Sequence, residues 1–433
     1  MIIPRPRELA FLGGSVAFHP DLVRHAPPDA SLGDEGYRLD VGPSGIRVTP
    51  GGRAGRFYGL QTLAQFGAAV PYGTIEDRPL FGWRGVMLDV ARHFMPKTFL
   101  LRLIDLLAEH KLNILHLHLT DDQGWRLEIE RYPRLTEVGG RRGGGPAPSG
   151  DEPRFYTRED VREIVAYAAE RFVTIVPEIE MPGHAQAAIA AYPELGNHPS
   201  RRLEVWSGWG ISEHVLNLEE STVAFCQNVL DEVMDLFPGP YVHVGGDECP
   251  PGEWERSPRA LRRLSELGLA GPSEACRWFV GRMAEHLARH GRRTICWDEP
   301  DREPTPGTTV MVWREEDALP DRSDIILAPH TRTYLDYYSS DAPGQPPAQP
   351  GVVTLADAYG FTPDPGVRGV QCQLWTEYMP TPEQVEYMAF PRLCAFAEVA
   401  WGSPGDYPDF LRRLDPHLAR LAARGVRVGP LIP

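Results

Sequence analysis

The chain has 433 residues, of which 42% are hydrophobic and 24% charged, an ordinary globular composition that excludes wholesale disorder. Its 43 glycines and 43 prolines follow no Gly-X-Y period, so they punctuate turns and do not build a fibre. A net charge of −15 repels phosphate backbones and anionic lipid, which sets nucleic acid and membrane surfaces aside as partners.

The start, MIIPRPRELAFLGGSVAFHP, carries Arg5 and Arg7 but only a short, broken apolar stretch, and does not read as a secretory signal. No apolar run approaches the ~18–20 residues that cross a bilayer. Cys226, Cys249, Cys276, Cys296, Cys372 and Cys394 are dispersed without a C-x-x-C pair, and read as reduced thiols. The expectation is a cytoplasmic protein, secreted only if a leader has been removed, and a monomer or homodimer. Lys97 and Lys111 are the only lysines among 44 basic residues, a bias that reads as genome composition.

Residues 1–75 read as a small N-terminal α/β domain. EGYRLDVGPSGIRVTP (35–50) alternates around Gly42 and Gly45 as a hairpin, and GRFYGLQTLAQFG (55–67) has helical spacing. PYGTIEDRPLFG (71–82) reads as a Pro/Gly connector. The rest, 80–433, alternates short apolar runs with amphipathic stretches such as 98–111 and 158–172. The candidate strands are 83–90, 113–120, 174–180, 241–246, 294–299, 308–314, 324–329 and 369–377. That alternation predicts an α/β fold, a (β/α)8 TIM barrel. Residues 139–155 and 339–351 read as Pro/Gly-rich loops.

Polar and aromatic residues gather at the C-terminal ends of these strands, where barrels build their sites. YVHVGGDE (241–248) is the most informative stretch. Neighbours on a strand face opposite ways, so Asp247 and Glu248 converge on one ligand only if Gly245 and Gly246 bend the chain. Two adjacent carboxyls also separate in pKa, leaving one ionised and one able to donate a proton. Trp297, Trp313 and Trp375 near strand ends offer flat faces to a sugar ring. HLHLTDDQGW (116–125) puts His116 and His118 on one strand face, which suits either a packed, hydrogen-bonded pair or ligands of a metal-dependent barrel hydrolase. PEIEMPGH (177–184) places Glu178, Glu180 and His184 at another strand end. Nucleotide-binding glycine motifs, G-x-S-x-G and H-E-x-x-H are all missing from the sequence.

WRGVMLDVARHF (83–94), KLNILHLHLTDDQGWR (111–126), PEIEMPGH, HVGGDE (243–248), CWDE (296–299), Trp313, YLD (334–336) and LWTE (374–377) together resemble glycoside hydrolase family 20, the β-N-acetylhexosaminidases. FYGLQTL (57–63) is similar to the end of that family's N-terminal domain. The resemblance implies a retaining, substrate-assisted mechanism without metal or cofactor, in which the sugar's 2-acetamido oxygen attacks C1 to give an oxazolinium ion. It implies Glu248 as general acid and base, Asp247 as acceptor of the acetamido N–H, and Tyr334 as donor to the acetamido oxygen. Trp297, Trp313 and Trp375 become the walls around the sugar. Arg92, Asp336 and Glu377 bind its 3-, 4- and 6-hydroxyls, and Asp121 and His184 form a network beneath the carboxyl pair. Glu180 and His243 are supporting residues. Two departures stand out: Glu180 occupies a position where the family usually has Asp, and the N-terminal domain is short, so that part of its sheet is expected to be missing. The implied substrate is an oligosaccharide ending in β-linked N-acetylglucosamine or N-acetylgalactosamine. A catalytically silent sugar-binding protein is the remaining alternative.

Overall fold

The computed structural model describes residues 2–142, 154–299, 305–314, 324–402 and 404–431. Most of the loop expected at 139–155 lies outside the described residues.

The N-terminal unit holds a five-stranded sheet: β1 (Glu8–Ala17), β2 (Val23–His25), β3 (Tyr37–Gly42), β4 (Gly45–Pro50) and β5 (Ala69–Asp77), in the order β1-β5-β3-β4-β2. The hairpin over 35–50 is β3–β4, and the helix spans Arg53–Gln65. Two expectations are corrected. Residues 71–77 are not a connector but most of β5, which pairs antiparallel with both β1 and β3. The sheet also gains β1, whose ten residues are nearly all exposed and therefore carry no buried–exposed alternation to read.

This unit is fastened to the barrel through buried polar groups. Asp77 at the end of β5 accepts from Tyr37, Lys111 and Trp401 at 2.6–2.8 Å. Lys111 has no exposure, and its ammonium also lies 4.6 Å from the Trp401 ring centroid. A buried cation is tolerable here because one carboxylate and two aromatic faces surround it.

The remainder forms a closed barrel of parallel strands: β6 (Trp83–Asp89), β7 (Ile114–His118), then, after the two-residue ribbon β8 (Thr120–Asp121) and β9 (Gly124–Trp125), β10 (Thr174–Glu178), β11 (Tyr241–His243), β12 (Arg293–Trp297), β13 (Thr309–Val312) and β14 (Ile325–Leu327). A second ribbon, β15 (Tyr337–Tyr338) and β16 (Gln349–Val352), precedes the last barrel strand, β17 (Gly369–Leu374), which pairs with β6 to close the ring. All eight strands expected from the sequence are present, each within a few residues of its expected bounds. Helices such as Lys97–Glu109 and Arg158–Ala169 bury their apolar stripes against the strands. Inside the barrel, Trp83, Ile114, Val176, Ile295, Met311 and Ile326 make a plug. The site sits above that plug, at the C-terminal strand ends.

Candidate active site

The registers Asp89↔His118, His118↔Glu178 and Glu178↔His243 align four polar side chains in one layer directly over the plug. Glu178 is the hub. Its Oε1 receives Trp297 Nε1 at 2.7 Å and lies 2.8 Å from His243 Nδ1. Its Oε2 is bonded to His118 Nδ1 and stands 3.2 Å from His116 Nε2. Burial opposes a charge on Glu178, but the three imidazoles more than offset it and hold the carboxyl well below its ordinary value. His118 likewise overcomes burial through Glu178 and Asp121, and is raised to about 10. His116 is left to burial, which lowers it to about 4; its Nδ1 accepts from Gln371. The two histidines of β7 are therefore packed, hydrogen-bonded parts of the barrel interior.

The next shell carries Asp121. Arg92 Nη2 lies 2.8 Å from one oxygen, which His118 Nε2 also reaches at 2.8 Å, and His184 Nδ1 is 3.2 Å from the other. Those cations outweigh burial and keep Asp121 ionised. Arg92 also donates to Gln123 (3.0 Å) and Asp89 (3.4 Å). Asp89 ties the barrel's first strand to its last, because its other contacts are the amides of Ala91, Arg92 and Thr376.

β11 ends at His243, and the chain then enters the left-handed region at Gly245 (φ 66°), Gly246 (φ 89°) and Glu248 (φ 39°). This turn is how two sequence neighbours come to face one ligand. A non-glycine residue held at such a φ costs on the order of 1–3 kcal/mol, a strain typical of functional positions. His184, at φ 48°, is strained in the same way and meets Glu248 through Nε2–Oε2 at 3.6 Å.

The pair is split electrostatically. Burial pushes Asp247 up to about 7, with the charges of Glu248, Glu178 and Glu299 adding and His184 opposing. Burial raises Glu248 too, but the approach and charge of His184 win and lower it. In the free molecule the pair's shared proton therefore belongs on Asp247, the reverse of the resting assignment that the roles above suggest.

These groups line one cavity of about 440 Å³. It brings together every residue expected to touch substrate: Arg92, Asp121, His184, Asp247, Glu248, Trp297, Trp313, Tyr334, Asp336, Trp375 and Glu377. Glu180 also reaches it, whereas His243 lies beneath, against Glu178. Trp313 and Tyr334 stack at 6.4 Å, and Trp297 and Trp375 stand 5.9 Å apart. Asp247 Oδ1, Asp336 Oδ1 and Glu377 Oε2 are buried oxygens without a hydrogen-bond partner among the described residues, all in this cavity. Such atoms are costly to bury and await donors from a ligand.

The sequence reading missed Trp209, Ile211, Tyr337, Gln349 and Tyr378, which also line the cavity. Trp209 lies in a loop held by long-range bonds: Trp206 N to Asp122 O (3.1 Å), Gln123 Nε2 to Gly208 O (3.0 Å) and Ser212 N to Asp122 (3.3 Å). The one sequence signal was a Trp between glycines in SGWG (207–210).

A parallel barrel with a carboxyl pair, stacked aromatic walls and open acceptor oxygens at its strand ends defines a glycosidase-type hydrolase. The sequence signature of the family 20 glycosyl hydrolase catalytic domain matches residues 81–404, and that of the family's domain 2 matches residues 19–78. The chain belongs to glycosyl hydrolase family 20. It is 41% identical over 428 residues to a β-hexosaminidase of Porphyromonas gingivalis, aligning 91% of this chain but only 54% of that protein. A β-hexosaminidase of Akkermansia muciniphila is 36% identical, with 89% of this chain and 84% of the relative aligned. Among solved structures, a family 20 exo-β-N-acetylglucosaminidase of Vibrio harveyi in complex with N-acetylglucosamine superposes with a TM-score of 0.89 at 30% identity, covering 99% of this chain and 78% of that one.

Proposed function

We propose that the protein is an exo-acting β-N-acetylhexosaminidase that releases terminal β-linked N-acetylglucosamine with retention, through an oxazolinium intermediate. The observation that carries this reading is the set of three open carboxyl oxygens, on Asp247, Asp336 and Glu377, in one aromatic-walled cavity. A sugar bearing a 2-acetamido group supplies one N–H and several O–H donors, the complement of that set.

Asp247 accepts the acetamido N–H through its open oxygen. That bond favours the carboxylate form of Asp247, so the pair's single proton moves to Glu248 as the sugar seats. Glu248 then protonates the leaving oxygen while the acetamido oxygen attacks C1. The bond from C1 to the leaving oxygen breaks, and the leaving group departs with Glu248's proton. Glu248, now charged, takes a proton from the water that attacks C1, which opens the ring and restores the acetamide. Tyr334, buried between Trp313 and Trp375, hydrogen-bonds the acetamido oxygen. Arg92, Asp336 and Glu377 hold the hydroxyls, and discrimination between the two N-acetylhexosamines rests on the 4-hydroxyl near Asp336 and Glu377.

The dispersed spacing of the six cysteines, without a C-x-x-C pair, supports a cytoplasmic location. The test of the reaction is the anomer first released: proton NMR during hydrolysis of a β-N-acetylglucosaminide shows the β-anomer before mutarotation. The α-anomer appearing first would refute an internal nucleophile.

A further inference from the structure

Glu180 also lines the cavity, and its carboxyl has different surroundings from those of Asp247, Asp336 and Glu377. Its backbone N–H donates to Thr120 Oγ1 at 2.9 Å, which fixes the residue, yet its Oε2 has no partner among the described residues. The carboxyl lies flat on Gly245: a Cβ there would fall 1.7 Å from Oε2. Gly245 opens the turn that delivers Asp247, whose Oδ1 likewise lacks a partner among the described residues.

The charges around these two carboxyls do not balance if both are ionised. The groups facing Glu180 are Glu178 at the end of β10, two residues earlier, His118 and Asp121 from the β7 side, His184, and Asp247. The cations are His118, His184 and Arg92, and the imidazole of His243 also lies against Glu178. Glu178 takes His118 and His243, Asp121 takes Arg92, and Glu248 takes His184. Asp89 and Asp122 draw on the same Arg92 and His184. The cation nearest Glu180 among these contacts, His118 Nδ1 at 3.9 Å, is already bonded to Glu178. A buried carboxylate without a counter-charge is too costly to persist and takes up a proton instead.

We infer that Glu180 is a neutral carboxylic acid at working pH and acts as a positioning residue, offering its proton toward the open oxygen of Asp247 and so favouring the carboxylate that must receive the acetamido N–H. Burial and the charges of Asp247 and Glu178, in that order, raise Glu180 well above the carboxylate range, in keeping with this placement. The inference rests on the role proposed for Asp247, but its protonation claim is independent of activity.

Two measurements test it. Infrared difference spectra of the full chain at pH 7, wild type minus Glu180→Gln, show the C=O stretch of one protonated carboxyl lost in the variant. Absence of that band overturns the claim even if the proposed reaction is correct. The pH profile of kcat/KM gives the second readout. Glu180→Gln keeps a neutral donor and leaves the alkaline limb in place. Glu180→Leu removes the donor, strengthens the proton on Asp247, and moves that limb up by about one pH unit. A downward move in Glu180→Gln shows that Glu180 is ionised in the wild type, and an unmoved limb in Glu180→Leu shows that it does not act on Asp247. Either result refutes the inference.

Discussion

Replacing Asp247 with asparagine trades function for stability, and the size of the trade follows from the site. An aspartate of ordinary pKa 3.8 is pushed to about 7 in the fold. A carboxyl raised by folding favours the folded state below its unfolded pKa, and that contribution is lost as pH rises to the folded value. At about 1.4 kcal/mol per pKa unit, the roughly three-unit shift makes the buried carboxylate cost about 4 kcal/mol at pH 8. At pH 5 much less of that interval has been crossed, and the cost is only about 1–2 kcal/mol. Asparagine has the same shape and no charge, so Asp247→Asn gains stability, and gains more at pH 8 than at pH 5. Chemical denaturation at the two pH values measures this, read as a midpoint shift at constant slope. The same variant loses activity on β-N-acetylglucosaminides because its amide no longer provides the carboxylate acceptor. A gain equal at both pH values, or a loss of stability at pH 8, would refute the assignment of a strongly raised Asp247.

Other outcomes follow from the same geometry. Glu248→Gln lowers turnover of a substrate with a poor leaving group about a hundredfold or more, and costs much less on an aryl glycoside that departs unprotonated; steady-state kinetics on the two substrates read the difference. The active form carries one proton on the Asp247–Glu248 pair, so kcat/KM for a poor leaving group falls as pH rises through about 7, where that proton is lost. On the acid side the fall follows Glu248, whose carboxyl His184 holds below its ordinary value against burial, and a pH–rate profile with both limbs checks this. Asp336→Ala removes an open acceptor from the cavity. It lowers kcat/KM on the N-acetylglucosaminide by about tenfold and changes its ratio to the N-acetylgalactosaminide, measured side by side.

The barrel and the carboxyl pair were legible because their determinants are local. Each strand is a short apolar run, and Gly245-Gly246 ahead of Asp247 and Glu248 announces a turn whatever surrounds it. β1 was not legible, since an exposed edge strand has no buried face to alternate against, and neither was β5, whose Pro71 and Gly73 mimic a connector. Trp209 and Ile211 enter the cavity on a loop fixed by Asp122, Gln123 and Gln186, partners some 20 to 90 residues away in sequence. The order of the two pKa values was equally out of reach. It depends on which carboxyl is more deeply buried and on a 3.6 Å approach of His184 to Glu248, and both are properties of the assembled site.

The central claim is that the substrate's own acetamido group is the nucleophile. The most direct test is hydrolysis of a chromogenic β-N-acetylglucosaminide beside the 2-hydroxy glucoside with the same leaving group, each with and without chelator. The account predicts turnover of the acetamido substrate alone, at a rate chelator does not change. Comparable cleavage of both sugars, or loss of acetamido turnover on adding chelator, would contradict it.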